Sequence, residues 1–410
     1  MKVTVSHPTG NANVRAALAG LYDAGILNAY YTAIASFEGT LFDKLAAFGP
    51  LAEIRRRRLD PRLKPFTHLA PWREAGRLIA SKLGAQNLTR HEEGIFSIDK
   101  VYHSIDNFTA GHLMANKSNA VFAYEDGALF TFKAAKQLGI KCLYDLPIGY
   151  WRTQRNLLAA EATRWPEWAS TLTTFKDTEA KLARKDEELE LADHIFVASS
   201  FTAKTLLDYP GKLGTVSVIP YGFPEVGDAR EYASLSGGRK LKLLFVGGLS
   251  QRKGIADMFA AVNKLRDHVE LTVVGRKTEG HCQALDTELG RHNWMPSMPH
   301  GDILKLMRQH DVLLFPSLFE GFGLVITEAM AQGTPVITTD RTAGPDVIVH
   351  GHSGWIIEAG SENAIYQTIE KILSNPQLVS KVGKAAMEAA RLRPWNIYGN
   401  ELARAITNNN

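Results

Sequence analysis

Leu313 to Asp346 reads LLFPSLFEGFGLVITEAMAQGTPVITTDRTAGPD. The apolar run from Val312 to Pro316 predicts a buried strand, Glu320 to Gly323 a glycine-bearing turn, Leu324 to Gln332 a helix, and Pro335 to Thr339 a second strand. Such a strand-turn-helix-strand unit sets a polar turn against a helix N-terminus, where backbone N–H groups and the helix dipole favour an anion. Helical side chains tilt back toward the N-terminus, so Glu328, one turn beyond Leu324, frames the same spot as Glu320. A carboxylate beside a phosphate repels it, so these glutamates are better suited to accept hydrogen bonds from hydroxyls. A phosphate flanked by hydroxyls describes a sugar nucleotide. The plainer alternative is a common α/β unit whose acidic residues steady the dipole.

Strand-like and helix-like segments alternate along the rest of the chain, the pattern of parallel sheets covered by helices. Val3 to Val5 predicts a first strand, followed by a turn at Thr9, Gly10 and Asn11 and a helix from about Ala12 to Ala24. That turn lacks the G-x-G-x-x-G fingerprint, which argues against a dinucleotide oxidoreductase. Tyr30 to Ala35 predicts a second strand, and about Phe37 to Ser118 a mostly helical region. Ala120 to Tyr124 and Ile140 to Tyr144 are further strands, ending in Glu125 and Asp126 and in Asp145, and open sheets display functional side chains at strand C-termini. The loop LYDLPIGYWR gathers Asp145, Tyr150, Trp151 and Arg152. A carboxylate beside aromatic rings suits a sugar; equally, Asp145 caps a turn and the rings pack between domains. A charged helix from Phe175 leads to the strand HIFVAS, where Ser199 and Ser200 read as helix caps. Val216 to Pro220 closes this half, and FPEVGDAREYASLSGGRK is the best linker candidate.

Leu241 to Val246 predicts a buried strand running into GGLSQRKG and a helix from about Ile255. Gly248, Arg252 and Lys253 thus stand in a second turn before a helix, a suitable diphosphate site. In isolation an Arg-Lys pair is a solvated basic turn. Pro299 to Gln309 predicts a helix, with His300 to Asp302 as its cap. No D-x-D triplet and no His/Cys group at metal-ligand spacing occurs, so no metal is expected.

The stretch E-G-F-G-L-V-I-T-E-A-M-A-x-G-T-P-V-I, from Glu320 to Ile337, resembles the donor-site signature of family 4 of the glycosyltransferases. A-D-H-I-F-V-A-S-S-F-T-A-K and the glycine pattern after Gly344, with Asp346 for the usual glutamate, extend the likeness. The resemblance implies the GT-B fold, two Rossmann-like α/β domains facing across a cleft. It implies an acceptor-binding domain over 1–223, a linker over 224–239, a donor-binding domain over 240–392, and a terminal helix over 393–410 crossing back. The implied activity is retaining transfer of a sugar from a nucleoside-diphosphate sugar to the hydroxyl of a carbohydrate or lipid-linked acceptor, in cell-surface polysaccharide or glycolipid synthesis. In that family no protein nucleophile is invoked, the leaving phosphate guiding the acceptor. Carried over by position, Glu320 lies near the donor sugar, Glu328 near the ribose, and Lys253 on the diphosphate. The backbone of Gly321, Phe322, Gly323 and Leu324 faces sugar or phosphate, and Gly10 lies near the donor phosphates or acceptor. Gly248 stands where the family carries an arginine, which Arg252 replaces. Asp145 stands where many members carry a histidine close to the anomeric carbon, making it and Glu320 the catalytic candidates. An epimerase or phosphorylase of the same fold, or a non-catalytic scaffold subunit, shares these features.

A chain of 410 residues, 45% hydrophobic and 22% charged, suits two ordinary cores. Two cysteines, Cys142 and Cys282, give no disulfide framework, and the N-terminus has no apolar signal core, so a cytoplasmic location is expected. Residues 1–223 hold 27 Lys+Arg against 23 Asp+Glu, while the remainder is balanced. The excess is densest from Arg55 to Arg77, beside Leu59, Leu63, Phe66, Leu69 and Trp72, a cluster suited to anionic lipid and hence to peripheral attachment at the inner membrane face. A solvated face or an anionic acceptor patch is the alternative, since Pro61, Pro65 and Pro71 interrupt any long amphipathic helix. Nucleic acid is not among the expected partners.

Overall fold

The computed structural model describes residues 1–39, 57–235, 238–278 and 280–408, so Arg55 and Arg56 of the basic stretch and Ser236 and Gly237 of the linker lie outside the described residues. Two parallel sheets carry the fold. In chain order the strands of the first half are β1 (Val3–Ser6), β2 (Leu27–Thr32), β3 (Ser36–Phe37), β4 (Arg58–Leu59), β5 (Thr67–Leu69), β6 (Ala120–Tyr124), β7 (Lys141–Leu146), β8 (His194–Val197) and β9 (Thr215–Val218). Seven of them pair in the order β5-β2-β1-β6-β7-β8-β9, and β3 pairs with β4 alone. The second sheet uses β10 (Leu241–Val246), β11 (Val269–Val274), β12 (Asn293–Met295), β13 (Val312–Phe315), β14 (Val336–Thr339) and β15 (Trp355–Ile357), in the order β12-β11-β10-β13-β14-β15. The central strands VTVS, AVFAY, HIFV and VLLF are buried at every position. Such runs suit parallel sheets covered by helices on both faces. Both sheets reverse direction of growth beside their first strands, which is where open α/β sheets form ligand crevices.

Differences from the sequence-based expectation fall mostly at short or edge elements. The second strand begins at Leu27, not Tyr30, because Gly25 at φ +68° ends the Ala12–Asp23 helix and feeds straight into it. The region expected to be mostly helical after Phe37 holds the helices Trp72–Lys82, Gln86–Thr89 and Ile98–Asn116 among its described residues, together with β4, β5 and the 3-10 turn Pro61–Phe66. The three-residue strands β5, β12 and β15 are too short to carry a periodic signal. The last strand of the first half, β9, is an edge strand with exposed Val216 and Val218.

Two segments cross between the halves. The terminal helix Trp395–Asn408 packs along the Ala12–Asp23 helix, where Gly20 and Gly399 allow backbones to touch: a Cβ on either would overlap main-chain atoms of the other helix. Tyr398, Leu402 and Ile406 thereby join the core around Val3, Val5 and Phe122. In the opposite direction, the 3-10 segment Pro166–Thr171, which follows the helix Trp151–Arg164, inserts Trp168 into the second half's core. There its ring stacks on Phe259 with centroids 5.8 Å apart.

Candidate functional site: a cleft between the two sheets

The turn after β13 is shaped by glycines. Gly323 sits at φ +87°, a conformation that glycine adopts without strain, and its missing Cβ leaves room for the Phe315 ring at 2.9 Å. The Leu324–Ala331 helix that follows has no side-chain cap, so its leading N–H groups face the cleft without a side-chain acceptor. At Gly321 the first half meets the second: a Cβ there would overlap the Pro147 carbonyl and stand 2.8 Å from Ile148 Cα. The hydroxyls of Ser199 and Thr202 donate to the Gly321 carbonyl at 2.6 and 3.1 Å. Phe319 packs edge-on against Phe201, and Phe322 against Tyr221. Ser199 also caps its own helix, accepting the Thr202 N–H at 3.1 Å, while Asp346 accepts the Ser200 N–H at 3.0 Å from across the gap.

The second turn converges on the first. Ser250 Oγ accepts the Arg252 N–H at 3.3 Å, and Gly254, at φ +68°, lies so close to the Pro316 carbonyl that a Cβ would overlap it. The Arg252 guanidinium donates to the Phe319 carbonyl at 2.7 Å and stands 3.3 Å from a Glu320 oxygen; the Lys253 ammonium contacts that same oxygen and lies 4.8 Å from the Phe315 ring centroid. Burial pulls Arg252 down to about 10, still charged at neutral pH. Burial and then the Arg252 charge push Lys253 well below its ordinary range, and its ammonium contacts the Glu320 carboxylate. Two basic side chains, Lys253 buried and Arg252 half-buried, thus share one carboxylate beside an uncapped helix. Gly248 has open space within 4 Å of its Cβ position, and no side chain fills the place of the family's arginine.

A cavity of about 300 Å³ lies between these turns and the first sheet, lined by His7, Asn11, Asn13, Tyr102, Tyr124 and Glu125 on one side and Glu320, Phe322, Gly323 and Leu324 on the other. Gly10 stands behind Asn11, 3.2 Å from Leu59 at its Cβ position, and its carbonyl accepts from Arg15. Glu328 turns elsewhere: its carboxylate pairs with His300 Nε2 at 2.9 Å, so the two glutamates engage different partners rather than one spot. Asp145 is 4% exposed and stands behind the cavity wall, with its carboxyl pushed up to about 8 by burial. Burial, and next the Asp145 carboxyl, push the phenols of Tyr124, Tyr221 and Tyr398 far above their ordinary range. Tyr221 accepts from Asn13 at 3.2 Å, while the buried Tyr124 and Tyr398 hydroxyls have no hydrogen-bond partner. The aromatic residues beyond Asp145 serve packing: Tyr150, Trp151 and Arg152 all bond Asp186, at 2.7 to 2.8 Å.

Sequence reasoning missed His7, Asn13, Tyr102 and Tyr124 as cleft residues. His7 and Tyr124 close strands β1 and β6, the strand-end position that singled out Asp145, so that signal was present but unused. The His7 imidazole is neutral at pH 7, lowered to about 4 by burial, and its Nδ1 accepts the Thr9 N–H at 3.0 Å. Glu125, buried and paired with Lys185 at 3.0 Å, is raised to about 6.

The basic stretch is largely compensated. Arg57 and Arg77 pair with the buried Glu74, Arg62 with Asp60 and Asp23, and Arg58 with Glu38. Leu59 and Leu63 are buried in the core, whereas Leu69, Trp72, Ile79 and Leu83 are exposed. His91, Glu92 and Asp177 come within metal-ligand reach of one another, but the Lys181 ammonium lies 3.2 Å from Asp177 and Thr178 donates to Glu92, which makes an internal ion-pair network. Among the described residues, no helix is long and apolar enough to cross a membrane.

Residues 231–389 match the family model described as glycosyl transferases group 1. Among curated proteins, the chain is 30% identical over 168 residues to the phosphatidyl-myo-inositol mannosyltransferase of Mycobacterium leprae, covering 40% of this chain and 45% of that protein. It is 32% identical over 145 residues to the capsular polysaccharide biosynthesis glycosyltransferase CapM of Staphylococcus aureus, covering 34% and 38%. The chain spans under half the length of these curated relatives. Among solved structures, sucrose-phosphate synthase from Thermosynechococcus elongatus matches with a TM-score of 0.64 at 17% identity, covering 100% of this chain and 98% of that one. Anabaena HepE, solved in complex with UDP, matches with a TM-score of 0.61 at 15% identity over all of both chains. The fold is GT-B, and residues 231–389 are similar to the group 1 glycosyl transferases.

Proposed function

We propose that this GT-B chain, built around a group 1 glycosyl transferase domain, transfers a sugar from a nucleoside-diphosphate sugar to a hydroxyl acceptor with retention of configuration. One observation carries the reading: Arg252, half-buried, and Lys253, buried, converge on the single carboxylate of Glu320 beside the uncapped start of the Leu324–Ala331 helix. The cations exceed the carboxylate in charge, and the helix dipole adds to the excess, so the turn is short of negative charge. A diphosphate supplies it. Once it engages Lys253 and Arg252, Glu320 is released to accept a hydrogen bond from a donor-sugar hydroxyl, and the backbone of Gly321 to Leu324 faces the phosphate. Glu328 and His300, already bonded to each other, present an acceptor and a donor to the ribose.

In the transfer the acceptor oxygen bonds to the anomeric carbon as the bond from that carbon to the phosphate oxygen breaks. The acceptor proton passes to the leaving diphosphate, whose charge Arg252, Lys253 and the helix N-terminus stabilise without a metal. The acceptor enters from the His7, Asn11 and Tyr124 wall, whose neutral polar groups match sugar hydroxyls. Asp145 acts from behind that wall as a neutral carboxyl among Tyr124, Tyr221 and Tyr398. The M. leprae and S. aureus relatives support a place in glycolipid or polysaccharide synthesis. The exposed Leu69, Trp72, Ile79 and Leu83 support cytoplasmic work at an anionic membrane face, although fewer cations are free for it than the sequence implies.

A thermal-shift panel of nucleoside diphosphates and their sugars tests the reading, since a ligand at 100 times its Kd stabilises by about 2.7 kcal/mol. At least one nucleoside diphosphate raises the melting temperature, and its release from the donor speeds up when acceptor is added. A panel in which none binds overturns the reading; donor turnover abolished by chelator and restored by magnesium overturns its metal-free chemistry.

A further inference from the structure

The turn that carries Arg252 and Lys253 is held by its own half of the chain and also by a segment of the other. Gln251, completely buried, opens it. Its backbone N–H donates to Thr171 Oγ1 at 2.9 Å, its side-chain amide donates to Glu161 at 3.2 Å, and its side-chain carbonyl accepts the Ala256 N–H at 2.9 Å, inside the first turn of the Ile255–Lys264 helix. Arg164 joins the same group: it bonds Glu161 at 2.7 Å and grips both oxygens of Asp257 at 2.7 and 2.6 Å, with Asp257 1% exposed in that first turn. Thr171 is anchored by donating to the Trp168 carbonyl at 2.7 Å, and Trp168 is the ring stacked on Phe259. Cys282 and Ser170 add bonds between the two halves at 3.3 and 3.1 Å.

The bonds from Thr171, Glu161 and Arg164 fix the backbone around Gln251 or the start of the helix that follows it, while those of Cys282 and Ser170 seat the same segment farther along the second half. A buried amide and a buried carboxylate pair satisfied only across the halves leave the turn a single conformation while the segment is seated, and unpaired polar groups when it is not. A planar bidentate grip of Arg164 on Asp257 also sets direction as well as distance.

We propose that Thr171, Glu161 and Arg164 are positioning residues for the anion-binding turn: seated against Gln251 and Asp257, they hold Arg252 and Lys253 where a nucleoside diphosphate meets both. This rests on the reading of Arg252 and Lys253 as the diphosphate clamp. The segment Glu161–Thr171 therefore moves with the second half when the cleft opens, although the chain places it in the first.

The full-length protein is titrated with UDP, or with GDP where that binds more tightly, by calorimetry. Four variants are compared. Thr171→Val deletes the hydroxyl at nearly constant volume and weakens binding about tenfold; Thr171→Ser restores it to within about twofold. Lys253→Ala removes a clamp charge and weakens binding at least as much. Arg239→Gln breaks an ion pair with Asp311, 2.8 Å long and outside the cleft, and serves as a control that lowers thermal stability while leaving affinity unchanged. Affinity unchanged in Thr171→Val but reduced in Lys253→Ala overturns the positioning role and leaves the clamp standing. Affinity unchanged in Lys253→Ala, or no diphosphate bound by the unaltered protein, overturns the clamp and the positioning role with it. Equal loss in Thr171→Val and Arg239→Gln overturns the positioning role as well, because it reports stability alone.

Discussion

Asp145→Asn should make the protein more stable at neutral pH, and increasingly so as pH rises. The carboxyl is raised from 3.8 to about 8 by burial, so between those values the folded chain holds a proton that the unfolded chain has released. Below about pH 4 both states are protonated, and the native carboxyl has no electrostatic cost. As pH rises toward 8 the unfolded state gains by ionising, and native stability falls by about 1.4 kcal/mol per pH unit. Accumulated to pH 8 this is on the order of 5 kcal/mol, an upper bound that local relaxation reduces. Asparagine keeps the shape of a neutral carboxyl and does not titrate. Urea unfolding of both proteins at pH 5, 6, 7 and 8 isolates the effect, since other titrating groups, Glu125 among them, contribute to both and cancel. Relative to their difference below pH 4, the two curves should already be about 1.6 kcal/mol apart at pH 5 and diverge steadily above it. A difference that stays constant with pH, or a variant less stable throughout, would refute a neutral buried Asp145. The unpartnered hydroxyls of Tyr124 and Tyr398 offer the new amide acceptors.

Gly321→Ala forces a methyl into the Pro147 carbonyl, which costs about 1–3 kcal/mol by overpacking and endangers the bonds from Ser199 and Thr202, each worth ~1 kcal/mol. Its urea midpoint should fall and donor affinity with it; a normal midpoint means the two halves do not meet as described. Glu328→Gln should weaken donor binding by ~1–3 kcal/mol through loss of a charged acceptor, measured by calorimetry, and unchanged affinity removes Glu328 from the ribose site. Sedimentation with liposomes checks the exposed Trp72 face: binding to anionic vesicles at low salt that falls in Trp72→Ala supports attachment, and equal behaviour with neutral vesicles counts against it.

The second half was the more legible because its candidate site residues and its secondary structure share one short stretch. Gly321 and Gly323 sit beside each other in the sequence as in the cleft, and Lys253 is one residue from Arg252. The wall from the first half was harder to read because His7 and Tyr124 come from strands that only the order β1-β6 brings together, and Tyr102 from the Ile98–Asn116 helix packed over them. Glu328 shows the limit of helix geometry: spacing set it beside Glu320, yet spacing does not reveal that His300, on another helix, takes its carboxylate. The basic stretch misled for a similar reason. A count of arginines does not show that Glu74 is buried between Arg57 and Arg77.

The helix Trp395–Asn408 touches the first sheet through a glycine-to-glycine crossing, so the end of the chain is structurally part of its beginning. Exchanging the first halves of two relatives therefore needs two splice points, not one. A chimera joined only in the linker near residue 230 would mate one parent's Gly20 groove with the other's terminal helix. One also joined ahead of Trp395 would inherit a matched pair.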